Sequence, residues 1–209
     1  SLIFSLILLS FSLSADKLEI KFALKYGMIK EPGSVQEKFQ LVKDLGYDGI
    51  EVNAPSGQRD AFKAASEATG LPIHGVVCST HWRLLLSDPN PEIRAKGLDG
   101  FKQAIRDAKF YGASSVLLVP GKVKKGTTFQ ECWDRSIPEI KKALPLAKEL
   151  GINILLENVW NDFLTTPEDT LKYINELESD LVGSYFDIGN TVRYNAPASW
   201  PPVLGNKIM

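Results

Sequence analysis

The sequence predicts an α/β chain built as a (β/α)8 barrel, of which about six strand–helix units are present in its 209 residues. Three observations lead there. From Lys21 onward, short β-rich runs alternate with amphipathic helical stretches, the pattern of βα units around a parallel sheet. Most of those runs are continuously apolar, as strands covered on both faces must be. The polar exceptions, Glu51, His81, Glu157 and Asp187, each stand at or just past the C-terminal end of a different run, and a barrel gathers those ends into one mouth.

Strands are expected over Phe22–Met28, Gly49–Asn53, Ile73–Cys78, Ser115–Val119, Asn153–Glu157 and Val182–Phe186. Gly46, Gly70, Gly112 and Gly151 each close a helix before the next strand, because glycine accepts the left-handed backbone that ends one. Ser34 with Glu37, Thr128 with Glu131 and Thr166 with Asp169 set a capping oxygen three residues ahead of a carboxylate, which starts a helix. In the first helix Val35, Phe39, Val42 and Leu45 share the face that would pack on the sheet. A long helix is expected from Pro91 to Gly112, and Pro138 and Pro145 predict a break or kink near Pro138 in the region after the fourth strand.

An open doubly wound sheet would hold the same units, but Tyr26-Gly27-Met28-Ile29 stands where a dinucleotide-binding fold carries its glycine fingerprint. A complete barrel needs eight units and about 250 residues. The chain is therefore expected to be a C-terminally truncated piece, with Lys207-Ile208-Met209 as the start of a seventh strand.

Hydrophobic residues at 44% suffice for a substantial core in one domain, residues 16–209. A net charge of −1, from 24 basic and 25 acidic residues, offers no broad attraction to nucleic acid or anionic lipid. Cys78 and Cys132 have neither metal nor disulfide spacing and are expected in the core. Leu2–Leu13 is almost entirely apolar and serine, followed by Leu13-Ser14-Ala15 and polar Asp16-Lys17, so residues 1–15 are expected to be a secretory signal. Export, with no stable membrane insertion after signal removal, follows from that expectation, with a cytoplasmic protein as the alternative.

Chemistry is expected where acidic residues end apolar strands. In Ile154-Leu155-Leu156-Glu157-Asn158 and Tyr185-Phe186-Asp187-Ile188-Gly189-Asn190 a carboxylate stands where burial without a partner cation is costly. Glu157 and Asp187 on adjacent strands would share one divalent ion, Mn2+, Mg2+ or Co2+, or Zn2+ if a histidine joins them. Either alone could instead cap a helix or pair with a lysine. Glu51, His81 and Asn190 are the candidate substrate contacts, with a salt bridge as the alternative role for Glu51 and a structural role as that for His81. His74, at the start of the third strand, is expected either in the core or as a residue supporting the site from behind. Trp160, Trp133 and Trp200 could wall a sugar site, with Trp133 the better candidate for core packing.

Over essentially the whole chain after Ala15, the sequence resembles the xylose-isomerase-like barrel superfamily. Cys78-Ser79-Thr80-His81, the helix from Pro91 to Gly112, Leu156-Glu157-Asn158 and Phe186-Asp187-Ile188-Gly189-Asn190 are most similar to the L-xylulose and L-ribulose phosphate epimerase and hexulose phosphate isomerase branch. The resemblance implies that Glu157 binds metal and moves a proton and that Asp187 is a second ligand. It also implies a histidine on strand seven and a glutamate on strand eight, positions outside this sequence, so the piece alone is expected to be inactive. The activity implied is isomerisation or epimerisation of a small carbohydrate through an enediolate, by a protein that could be a homo-oligomer. Apurinic endonucleases share the layout, but Asn190 stands where they carry histidine, and Val119-Pro120-Gly121 lacks one too. The third reading is an exported sugar-binding barrel without turnover.

Overall fold

The structure, a computed structural model, describes residues 20–209; the secretory signal expected over residues 1–15 lies outside the described residues. Six strands, β1 (Ala23–Lys25), β2 (Gly49–Ala54), β3 (Ile73–Cys78), β4 (Ser115–Leu118), β5 (Asn153–Leu156) and β6 (Val182–Ser184), form one sheet. All neighbours pair in parallel and the spatial order is the sequence order. A doubly wound sheet reverses direction at a switch point. None exists here, so the sheet is an arc of a barrel.

The helices are α1 (Val35–Asp44), α2 (Arg59–Thr69), α3 (Pro91–Tyr111), α4 (Phe129–Lys141), α5 (Leu144–Leu150), α6 (Pro167–Glu176), α7 (Ile188–Thr191) and α8 (Trp200–Leu204). Both expected capping boxes form, at Ser34/Glu37 and Thr128/Glu131, and the Thr166 side chain accepts from the Asp169 amide. Gly46, Gly70, Gly112 and Gly151 all take positive φ.

Several sequence expectations shift. The first strand is only three residues long, because Tyr26–Met28 turns into a 3-10 helix. The fourth, fifth and sixth strands end one or two residues early, leaving Glu157 and Asp187 just beyond the ladder. Leu45 is 65% exposed, since α1 stops at Asp44 and Leu45 lies past its buried face. The break expected near Pro138 falls instead between Lys141 and Leu144: α4 runs through Pro138, whose carbonyl still accepts from the Lys142 amide at 3.2 Å, and Pro145 sits in the first turn of α5. Pro138 removes one donor from the helix without displacing the carbonyl that closes the last turn.

Strand alternation divides the sheet into two faces. Ile50, Val52, Val76, Val116, Leu118, Ile154, Leu156 and Val182 join the helices in the main core. The intervening residues face the barrel lumen, where Val77, Leu117, Val119 and Val159 form a small second cluster against Tyr185. Both cysteines are buried and free. Beyond β6, Ile208 makes a parallel bridge to Ser184, and the Met209 amide donates to the Ser184 carbonyl at 3.3 Å. Gly183 permits this approach, since a Cβ there would lie 2.5 Å from the Met209 sulfur. Among the described residues, no helix is long and apolar enough to cross a membrane.

Candidate active site

Strand endings bring the acidic residues together. The Glu157 amide still donates to the Leu118 carbonyl at 3.1 Å and the Tyr185 amide to the Leu156 carbonyl at 2.9 Å, so the chain keeps strand alternation past β5 and β6. Glu157 and, two residues beyond Tyr185, Asp187 therefore point to one place. The Glu157 carboxyl lies within hydrogen-bonding reach of Asp187, and Asn190 Nδ2 donates to Glu157 Oε1 at 3.2 Å. Burial, and then the negative charge of Asp187 beside it, push the Glu157 carboxyl up to about 7.

Asp187 also caps a helix. Its Oδ1 accepts from the Asn190 amide at 2.9 Å at the start of α7, which turns Asn190 back toward Glu157. Among the described residues no lysine or arginine forms an ion pair with either carboxylate. Two adjoining carboxylates without a cation repel, and only a shared proton or a metal ion relieves that. Two hard oxygen donors side by side suit a divalent ion by their chemistry, although no group of three or more His, Cys, Asp and Glu disposed to hold one occurs among the described residues.

Glu51 lies deeper in the lumen, 6% exposed, and its carboxyl is raised by burial. Its Oε1 accepts from the Tyr185 hydroxyl at 3.1 Å, a bond that reaches from β2 to the residue after β6. In register beside it, Gly75 leaves room: a Cβ there would meet Ser115 Oγ at 3.1 Å and Glu51 Oε1 at 4.0 Å. The charge of Lys25, at the end of β1, acts on Glu51, Glu157 and His81.

His81 sits in the loop after β3, 2% exposed. Its Nδ1 accepts from the Val119 amide at 3.1 Å, and burial lowers the imidazole to about 4. That loop lies on α3 where the helix has no side chains. A Cβ at Gly100 would come 2.5 Å from Thr80 Oγ1, and one at Gly97 would collide with the Leu84 carbonyl oxygen. Glycine inside a helix costs stability, and here it admits the loop that carries His81.

The structure thus brings Glu157, Asp187 and Asn190 into contact and sets Glu51 and His81 in the same lumen without touching them. Sequence reasoning missed Tyr185, Lys25, Gly97 and Gly100. Period-2 alternation from Asp187 would have found Tyr185, whereas the glycines matter only through the loop they face. The tryptophans divide: Trp133 is buried and its indole N–H donates to Glu176 at 2.8 Å, Trp200 is fully buried, and Trp160 is 62% exposed beneath Arg193. Trp200 belongs to the helix layer, so it walls no site. His74 is half-buried near the start of β3, which removes the core alternative for it. A hollow of about 720 Å3 lined by Lys141, Leu144, Lys148, Leu177 and Leu181 lies by the N-terminal end of β6, away from this chemistry.

A parallel sheet in barrel order with polar side chains gathered past its strand ends defines a TIM-barrel scaffold. Residues 39–209 match the xylose isomerase-like TIM barrel family, and the chain belongs to it. It is 25% identical over 166 residues to the L-ribulose-5-phosphate 3-epimerase UlaE of Escherichia coli (strain K12 / DH10B), an alignment covering 74% of this chain and 58% of that protein. The chain thus spans less than two thirds of the length of the curated relatives it matches. Among solved structures, D-psicose 3-epimerase with D-tagatose from Clostridium cellulolyticum H10 superimposes with a TM-score of 0.74 at 16% identity, over 90% of this chain and 71% of that one. The IolI protein with a bound zinc atom gives 0.69 at 17%, over 85% and 66%. These two likenesses show the fold.

Proposed function

We propose that the chain is the metal-gripping part of a divalent-metal-dependent sugar or sugar-phosphate isomerase or epimerase. The contact of the Glu157 and Asp187 carboxyls at adjacent strand ends carries the reading, and it is supported by family membership and by a relative that is a 3-epimerase. Glu157 and Asp187 would hold the ion, which supplies Lewis-acid stabilisation of the oxyanion as a proton leaves the neighbouring carbon. Glu157 takes or returns that proton, at an oxygen not held by Asn190. Asn190 fixes the Glu157 rotamer, and Asp187 Oδ1, engaged as a helix cap, leaves Oδ2 for the ion. Glu51 and His81 face the sugar from the β2 and β3 side. Return of the proton to the opposite face gives an epimer; return to the neighbouring carbon gives aldose–ketose exchange.

The test uses the protein at its natural length. It should bind one Mn2+, Mg2+, Co2+ or Zn2+ per chain and exchange the substrate's carbon-bound proton with solvent in heavy water. Glu157→Gln is expected to lower that exchange about 10²–10⁴-fold. Undiminished exchange in this variant would end the proposal. Export belongs to the same proposal and rests on the apolar run Leu2–Leu13. N-terminal sequencing checks it, and a mature chain that begins before Ala15 overturns it.

A further inference from the structure

His81 has one satisfied ring nitrogen and one that is not. The Val119 backbone N–H can only donate, so Nδ1, 3.1 Å away, must present a lone pair. The ring's proton then resides on Nε2, as the second nitrogen's bond dictates in any histidine. That Nε2–H is buried and meets no acceptor among the described residues. Buried donors without acceptors are rare and costly, and at a mouth they point to a ligand oxygen. The same loop sets Trp82 edge-to-face on the imidazole, ring centroids 4.6 Å apart, with the indole 54% exposed. Thr80, packed on Gly100, holds the loop in place.

We propose that His81 is a specificity-determining residue whose Nε2–H donates to an uncharged oxygen of the sugar, hydroxyl or carbonyl, while Trp82 offers an aromatic face to the carbon skeleton. This deepens the sugar reading above and rests on it. An uncharged oxygen is favoured over phosphate because Glu51, Glu157 and Asp187 all face this lumen, with Lys25 the cation acting on the first two. A phosphate there would meet three carboxylates. The engaged Nδ1 lone pair also makes His81 a substrate donor in preference to a metal ligand.

Imidazole 15N spectra of the natural-length protein read the proton position directly. The Nε2–H tautomer is expected, with the Nε2 resonance moving on addition of D-tagatose and staying still with inorganic phosphate. Two variants separate ligand donation from structure. In His81→Asn the side-chain oxygen can still accept from Val119 but its amide N–H is too short to reach the Nε2 position; His81→Gln keeps a donor near Nε2. D-tagatose affinity should fall about tenfold in His81→Asn and stay within about threefold in His81→Gln, one hydrogen bond's worth of binding. A merely structural histidine predicts the reverse order. An Nδ1–H tautomer, equal affinity in His81→Asn, or a response to phosphate overturns the inference. If Glu157-dependent proton exchange persists while His81→Asn binds normally, only this inference falls. If the wild type binds no ketose, both fall.

Discussion

The two faces of the same six strands do different work. Toward the helices, Ile50, Val52, Val76, Val116, Leu118, Ile154, Leu156 and Val182 are all aliphatic and almost completely buried. Toward the lumen, between those same residues, stand Lys25, Glu51, Glu157 and Tyr185 among a few aliphatics. Burial on the helix side supplies stability that the lumen gives up, since carboxylates removed from water cost free energy unless partnered. The sheet can carry a strained polar interior because its other face is a close-packed core.

That division can be broken by experiment. The largest loss is expected from Ile154→Ala on the helix face, where a fully buried side chain leaves a cavity; about 2–5 kcal/mol should disappear from the unfolding free energy in denaturant, with little change in m. Should Leu155→Ala, on the lumen face, cost more, the assignment of stability to the helix side is wrong.

His81 sharpens the comparison through pH. Its imidazole titrates near 6.5 when unfolded and at about 4 when folded, so the unfolded chain binds the extra proton between those values. Stability is full above pH 6.5, declines as pH falls toward 4, and levels below that. The whole decline amounts to about 3 kcal/mol, following from the shift at 1.36 kcal/mol per unit. Thermal melts of wild type and His81→Gln from pH 7.5 to 4 measure it; parallel curves would show that the imidazole is not held neutral.

The smallest effect concerns the cross-lumen bond. Tyr185→Phe leaves the buried Glu51 carboxyl without its hydroxyl partner, and should cost about 1.5–3 kcal/mol near pH 7. The loss should shrink in a Glu51→Gln background, and a double-mutant cycle reads the coupling. Additive costs would mean that the bond does not hold the lumen together.

Much of this was legible in the chain itself. Helix ends at Gly46, Gly70, Gly112 and Gly151 and starts at Ser34, Thr128 and Thr166 were marked by local chemistry, which works within a few residues and needs no fold. Pro138 misled because a proline's effect depends on whether its helix has packing to hold it, and α4 buries Trp133, Ile137 and Ile140 on either side of the break expected there. Leu45 misled because the helical face was extended one residue past the helix end.

For the site, a polar side chain ending an apolar strand is visible in sequence because burial makes it anomalous, and Glu157, Asp187, Glu51 and His81 stand out that way. Which of them touch is another matter. Contact between Glu157 and Asp187, the reach of Tyr185 to Glu51 and the seating of Thr80 on Gly100 join residues 20 to 134 positions apart. Local chemistry along the chain determined where each element begins and ends and which residues could not be there for packing alone; the closeness of two strands and a loop, created only when the sheet curls and its helices cover one face, decided which of those residues meet.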